Sequence, residues 1–163
     1  MVIKDKMLKA INKQINEELF SAYLYLSMAT YFDANNLPGF AHWMRAQNRE
    51  ETGHAMKFYG FVNDRGGKVD LMQIAAPQTE WKSPLAAFED VLEHELKITA
   101  CINGLLKVAK EENDTAAESM LKWFIDEQVE EEKNAMQIVD TLKMIKDSSM
   151  GLIMLDRQLA ERK

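Results

Sequence analysis

Residues Arg49–Lys57 read REETGHAMK. Glu50 and Glu51 stand side by side, and His54 follows Glu51 by three positions, about one helical turn further on. Residues at that spacing share a helix face, so Glu51 and His54 fall on the stripe that also carries Met44, Phe58 and Phe61. Charged groups are rarely buried unless something pairs with them. A carboxylate and an imidazole on an apolar stripe therefore call for a partner that this helix does not itself supply.

Working outward, the same spacing marks four long helices and a short one. Ile11, Ile15, Glu18, Ala22, Tyr25 and Ala29 define a face in a helix expected over 4–33. Asn35-Asn36-Leu37-Pro38-Gly39 breaks it, and a second helix over 39–65 carries Phe40, Met44, Gln47, Glu51, His54, Phe58 and Phe61 before Arg65-Gly66-Gly67 stops it. Ser83-Pro84 forms a cap and first-turn pair for a third helix over 85–112, with Phe88, Val91, Glu95, Ile98, Ile102, Leu105 and Ala109 on its stripe. Thr115 and Glu118 have capping-box spacing at the start of a fourth, over 115–146, striped by Ala117, Leu121, Phe124, Gln128, Glu131, Ala135, Ile138, Leu142 and Ile145. A short amphipathic segment, 150–160, follows.

A connector over 66–84 is too long for a turn between neighbours, yet long enough to run the length of a bundle whose helices are each about 40 Å. The expected fold is an all-α, up-down-down-up four-helix bundle with one long crossover and a short fifth helix, a single domain over 1–163. The 163 residues suffice for one real core, and 7 Gly with 3 Pro leave long helices uninterrupted. A net charge of −6 argues against nucleic acid as a partner and favours cations. The single Cys101 excludes an internal disulfide framework and any CxxC knuckle, and is expected to be a buried inert thiol. With no signal-like apolar run and no window of about 20 apolar residues, a soluble, cytoplasmic protein without membrane contact is expected.

Each long stripe is apolar except near its middle. Glu18 interrupts the first, Glu51 and His54 the second, Glu95 the third, and Gln128 with Glu131 the fourth. Glu18 to Glu51 is 33 residues and so is Glu95 to Gln128; Glu51 to His54 and Gln128 to Glu131 are both 3. The chain reads as two related helix pairs facing each other across one polar layer. One glutamate on such a stripe is ordinarily a boundary residue whose head reaches water. Four interruptions at matching height would instead gather carboxylates in one low-dielectric volume, where they repel or take up protons. A pair of divalent cations removes that repulsion. The donor set is too rich in oxygen for structural zinc, and its imidazole disfavours calcium and magnesium. A glutamate from each of two helices plus an i, i+3 Glu–His pair is the pattern of carboxylate-bridged di-iron or di-manganese centres, with Glu51 as the natural bridge.

At these residues the sequence resembles non-haem ferritins of the bacterial and archaeal type, over essentially its full length. The segments QINEELFSAYLYLSMATYFD, GFAHWM, EExxH, the HE pair at 94–95 and KWFIDEQVEEEK carry the likeness. The resemblance implies a ferritin-like fold and a ferroxidase centre. Glu18, Glu51 and His54 would form site A, and Glu51, Glu95, Gln128 and Glu131 site B. Glu50, Glu127, Glu130 and Glu131 match a third, more exposed iron site. Tyr25 and Trp123 match aromatic residues beside the centre that are candidate one-electron donors. It further implies oxidation of Fe(II) by O2 or H2O2 and a shell of 24 subunits that stores ferric mineral. Thr52 stands where bacterioferritins place their haem-binding methionine, so no haem is expected.

Several readings are plainer. His42 and His94 lack carboxylate partners on the stripe and are expected at the surface or in hydrogen bonds. Met28 and Phe32 are expected to be exposed at subunit contacts. Gly53 has an interior helical position, and close approach of an aromatic side chain to its backbone is one explanation. A small di-iron oxidase or peroxidase without storage, and a metal-free helical assembly module, are the competing functional classes.

Overall fold

The protein is described over residues 1–163 by a computed structural model, in which five helices and no strand are formed. They are α1 (Asp5–Ala34), α2 (Pro38–Asp64), α3 (Pro84–Glu111), α4 (Thr115–Ile145) and α5 (Ser149–Leu159).

The ends of these helices follow from local chemistry. Asn36 takes a left-handed φ of 57° between α1 and α2, and Pro38 opens α2. At the far end Gly66 has φ 68°, and Gly67 N–H donates to Val62 O at 2.9 Å, so the last turn of α2 closes as glycine-terminated helices do. Ser83 Oγ accepts from Ala86 N at 3.0 Å, with Pro84 in the first turn of α3. The capping box expected from Thr115 and Glu118 is not what starts α4. Asp114, one residue earlier, is the cap, accepting from Ala117 N at 3.0 Å. Arg65 settles the competition, because its Nη1 reaches both Asp114 carboxylate oxygens at 2.8 Å and ties the α2 end to the α4 start.

Cross-helix pairs give the topology. Glu17 meets Lys97 and Ser21 meets His94, so numbers rise on α1 as they fall on α3. Gln47 meets Glu131 and Phe58 meets Phe124, so α2 and α4 also run oppositely. The segment between α2 and α3 climbs along α1. Lys68 O accepts from Asn12, Gln78 O from Ser27, and Trp81 packs on Tyr31. The bundle is therefore up-down-down-up with one long crossover. α5 folds back onto the start of α2, where Asp156 Oδ1 accepts from Gly39 N at 2.8 Å and Phe40 N at 3.0 Å.

The apolar core is divided in two. One cluster holds Tyr25, Met28, Phe32, Phe40, Trp43 and Phe88 among others; the second holds Met7, Ile11, Phe58, Ile102, Leu121 and Phe124 among others. The polar layer lies between them. Met28 and Phe32 are both fully buried rather than exposed: each lies three residues beyond Tyr25 or Ala29, on the core stripe, and Phe32 stacks on Phe40 at 4.9 Å. Cys101 is only half-buried.

No aromatic group explains Gly53. It lies on the exposed face of α2, and a Cβ there would meet no atom within 4 Å. Gly39 is the opposite case, since its Cβ would fall 1.7 Å from Asp156 O. Gly53→Ala is therefore expected to stabilise the chain by about 0.5–1 kcal/mol, a rise of about 2–4 °C in Tm. Gly39→Ala should lower Tm by forcing α5 off α2, and thermal unfolding of both variants checks the contrast.

Candidate metal centre

Four helices each send polar side chains into the layer between the two apolar clusters. Glu18 comes from α1, Gln47, Glu51 and His54 from α2, Glu95 from α3, and Gln128 and Glu131 from α4, and all are buried. Donor atoms of Glu18, Glu51 and His54 lie within 4.8 Å of one another. His54 Nδ1 is 3.2 Å from Glu51 Oε2, close to the roughly 2.9 Å that separates adjacent donors on an octahedral ion with bonds of about 2.0–2.1 Å.

Several of the other carboxylate oxygens accept from neutral donors. Gln14 Nε2 donates to Glu18 Oε1 at 2.8 Å, while Glu18 Oε2 is buried without any partner. The Tyr25 hydroxyl donates to Glu95 Oε1. Gln128 Nε2 donates at 3.2 Å each to Glu95 O, Glu95 Oε2 and Thr99 Oγ1. A backbone carbonyl can only accept, so this orientation of the Gln128 amide is forced, and its Oε1 is the atom left free to meet an ion. Gln47 Nε2 donates to Glu131 Oε2 at 3.0 Å.

A family profile described as the ferritin-like domain matches residues 8–145. The bacterial non-heme ferritin of Bacteroides fragilis is 41% identical over 161 residues, covering 99% of this chain and 100% of the relative. That of Staphylococcus haemolyticus is 40% identical, covering 99% of this chain and 97% of its own. The open pore ferritin of the hyperthermophilic archaeon Archaeoglobus fulgidus superposes with a TM-score of 0.98 at 50% identity, covering 99% of each chain. The chain belongs to the ferritin family.

The polar layer is electrostatically unfinished without a cation. Burial, and next the charge of Glu51, push the Glu18 carboxyl well above its usual range; burial and Glu95 do the same to Glu51. Burial raises Glu95 as well, and burial with the Glu95 charge raises Glu131 to about 7. Tyr25 is also pushed well up, by burial first and then by the Glu95 charge, so it stays a neutral donor. No lysine or arginine enters the inner layer to relieve the carboxylates. An unpartnered Glu18 oxygen amid carboxyls that burial and mutual repulsion drive to take up protons is a layer that a cation would relieve.

Further out, donor atoms of His54, Glu127 and Glu131 also come within 4.8 Å of one another. Of the residues expected at a third position, Glu127 and Glu131 are thus brought together. Glu50 is turned toward Arg162 Nη2 at 2.6 Å, and Glu130 is exposed. Trp123 is partly exposed, its ring centroid 5.5 Å from that of His54 and 3.6 Å from Lys57 Nζ. The two other histidines serve the scaffold. His94 Nε2 lies 2.7 Å from Ser21 Oγ, with its pKa lowered to about 4 by burial and by Lys97, and His42 donates to Arg162 O at 2.6 Å.

Gln14, Thr99 and Arg162 did not stand out in the sequence, and Gln47 stood out only as a stripe residue. A signal existed for two of them. Gln14 precedes Glu18, and Gln47 precedes Glu51, by four residues, and the glutamines are themselves 33 apart. Arg162 has no local signal, lying 112 residues from the glutamate it holds.

Carboxyls with raised folded-state pKa values stabilise the metal-free chain fully below their unfolded values near 4.5, and that stability is lost as pH climbs through the folded values. Glu131 sets one point of that window at about 7. Metal binding requires the deprotonated form, so affinity moves the other way. Redox-inert Co(II) is therefore expected to raise Tm more at pH 7.5 than at pH 5.5, while the metal-free Tm falls between the same two values. Differential scanning calorimetry with and without Co(II) measures both.

Proposed function

We propose that this ferritin oxidises Fe(II) to Fe(III) at a di-iron centre and stores the ferric product as mineral within a shell of 24 subunits. Family membership and the buried carboxylate–imidazole group support iron storage and ferroxidase activity. The observation that carries the assignment of the site is the convergence of Glu18, Glu51 and His54 around an unpartnered, buried Glu18 oxygen.

On this reading one Fe(II) is held by Glu18, Glu51 and His54, and the second by Glu51, Glu95, Gln128 and Glu131. Carboxylates suit the hard ferric product, and the imidazole suits the ferrous reactant. Two Fe(II) ions give up one electron each. O2 takes both electrons with two protons to become H2O2, or H2O2 takes them with two protons to become two waters. Tyr25 holds Glu95 in place and is a candidate one-electron donor, with Trp123 as a second.

Egress matters as much as oxidation. Gln128 offers a neutral amide oxygen, which binds Fe(III) more weakly than another carboxylate would. Glu127, half-buried, and Glu130, exposed, continue from Glu131 toward solvent on α4 and, with Glu50, provide a third iron position on the way to the store. Thr52, whose hydroxyl donates to Asn48 O at 2.8 Å, offers no thioether for haem, so the centre works without one. No helix is long and apolar enough to cross a membrane, and a cytoplasmic location without membrane or nucleic-acid partners fits the −6 charge.

Glu51→Ala is expected to slow rapid Fe(II) oxidation by more than about 100-fold, beyond what loss of an outer-shell partner costs, in stopped-flow absorbance. Undiminished oxidation would remove these residues from the site. Native mass measurement before and after iron loading should show a 24-subunit particle accumulating far more iron than the centres alone can hold. Loading that stops at two or three ions per chain would mark a di-iron oxidase without storage.

A further inference from the structure

The residues after α5 return to the metal centre. Asp156 caps the start of α2, and His42 on that helix then donates to Arg162 O at 2.6 Å, fixing the backbone at the far end of the segment. From there the Arg162 side chain lies along one face of α2. Its guanidinium sits 4.5 Å from the Trp43 ring centroid, donates to Gln47 Oε1, and meets Glu50 Oε2 at 2.6 Å. Trp43, Gln47 and Glu50 are spaced four and three residues apart, so the guanidinium spans about two turns of a single stripe. Arg162 Nη1 is buried and has no partner.

This arrangement fixes something the centre needs. A guanidinium has only donors, so the end of Gln47 that faces it must be the carbonyl oxygen. The amide group is thereby turned with its NH2 toward Glu131, to which it donates at 3.0 Å. Without Arg162 the Gln47 carbonyl oxygen loses its donor, and the acceptor Glu131 alone is left to hold the amide in this orientation. The same guanidinium also places a fixed positive charge one hydrogen-bonded step from the group formed by His54, Glu127 and Glu131.

We propose that Arg162 is a positioning residue for the outer metal position: it orients Gln47 against Glu131, holds Glu50 back, and weakens cation binding among His54, Glu127 and Glu131. The proposal rests on the reading of this layer as an iron centre. Its consequence is a poised outer position, one that passes an ion onward instead of retaining it. Because the charge acts from outside the inner layer, the Glu18–Glu51–His54 group should be little affected.

Titration of the assembled, metal-free protein with Co(II), followed by calorimetry and by ligand-field absorbance, separates inner from outer binding. Arg162→Met is expected to strengthen the weaker, outer Co(II) step by at least about tenfold, the lower bound for a unit charge acting on a divalent ion about 6 Å away in a water-like dielectric, and to leave the tightest step unchanged. Arg162→Lys keeps a donor-only cation and should return the outer step to within about threefold of the parent. Arg162→Gln, neutral but polar, asks the same question should the methionine variant not assemble. An outer step that is unmoved in both neutral variants, or a lysine variant that behaves like them, would reduce Arg162 to a packing element and overturn the proposal. Failure of the parent protein to bind Co(II) tightly at all would instead overturn the metal-centre reading, a result distinguishable at the first titration.

Discussion

Carboxylates gathered in one dry layer repel one another, and the whole bundle is arranged around that cost. Glu18, Glu51, Glu95 and Glu131 are buried at mid-height, between two apolar clusters that supply the driving force for folding. The bundle does not neutralise them with buried lysine or arginine. It gives three of them neutral donors, Gln14 for Glu18, Tyr25 and Gln128 for Glu95, and Gln47 for Glu131, while Glu51 meets His54. Neutral donors orient the oxygens but supply no positive charge, so the carboxyls are driven to take up protons until a cation replaces them. A cation entering the layer therefore finds its ligands preoriented and its charge still wanted.

That choice separates the functional layer from ordinary buried ion pairs. A buried Arg–Glu pair is satisfied internally and has nothing to offer an incoming ion. The chain uses such pairs only away from the inner layer, as where Arg65 clasps Asp114 at the junction of α2 and α4. Arg162 is the intermediate case, its charge set one residue away from Glu131 through Gln47.

Much of this was legible in the sequence because it is periodic. The stripes of Ile11 to Ala29 or Phe88 to Ala109 recur at helical spacing, and a polar residue inside such a stripe stands out against them. The 33-residue offset between Glu18 and Glu51 exposes the shared height of the interruptions. Where periodicity was not the deciding factor, sequence reading failed. Thr115 carries good capping chemistry, yet Asp114 caps α4 because Arg65, 49 residues away, holds it. Met28 and Phe32 look like spare apolar surface until Phe40 and Phe88 close over Phe32. Arg162 belongs to the same class, since contacts made by chain reversal leave no local pattern.

The internal repeat also explains why the two halves of the centre are not equivalent. By the 33-residue offset Gln128 corresponds to Glu95 as Glu51 does to Glu18, and the three-residue step pairs Glu131 with His54. Glutamate followed by histidine in one half thus becomes glutamine followed by glutamate in the other. Each half keeps two carboxylates and one neutral donor, so formal charge is nearly balanced, but imidazole nitrogen is replaced by amide oxygen. The amide is the weaker donor, and its NH2 group is already committed to Glu95 and Thr99, so only one lone-pair-bearing atom can turn to the ion. On the proposed reading, one firm half and one yielding half would gather two ions for a two-electron step and then release the product from the yielding side. A symmetric pair of Glu–His halves would hold both ions alike, as suits a resident cofactor rather than a passing cargo.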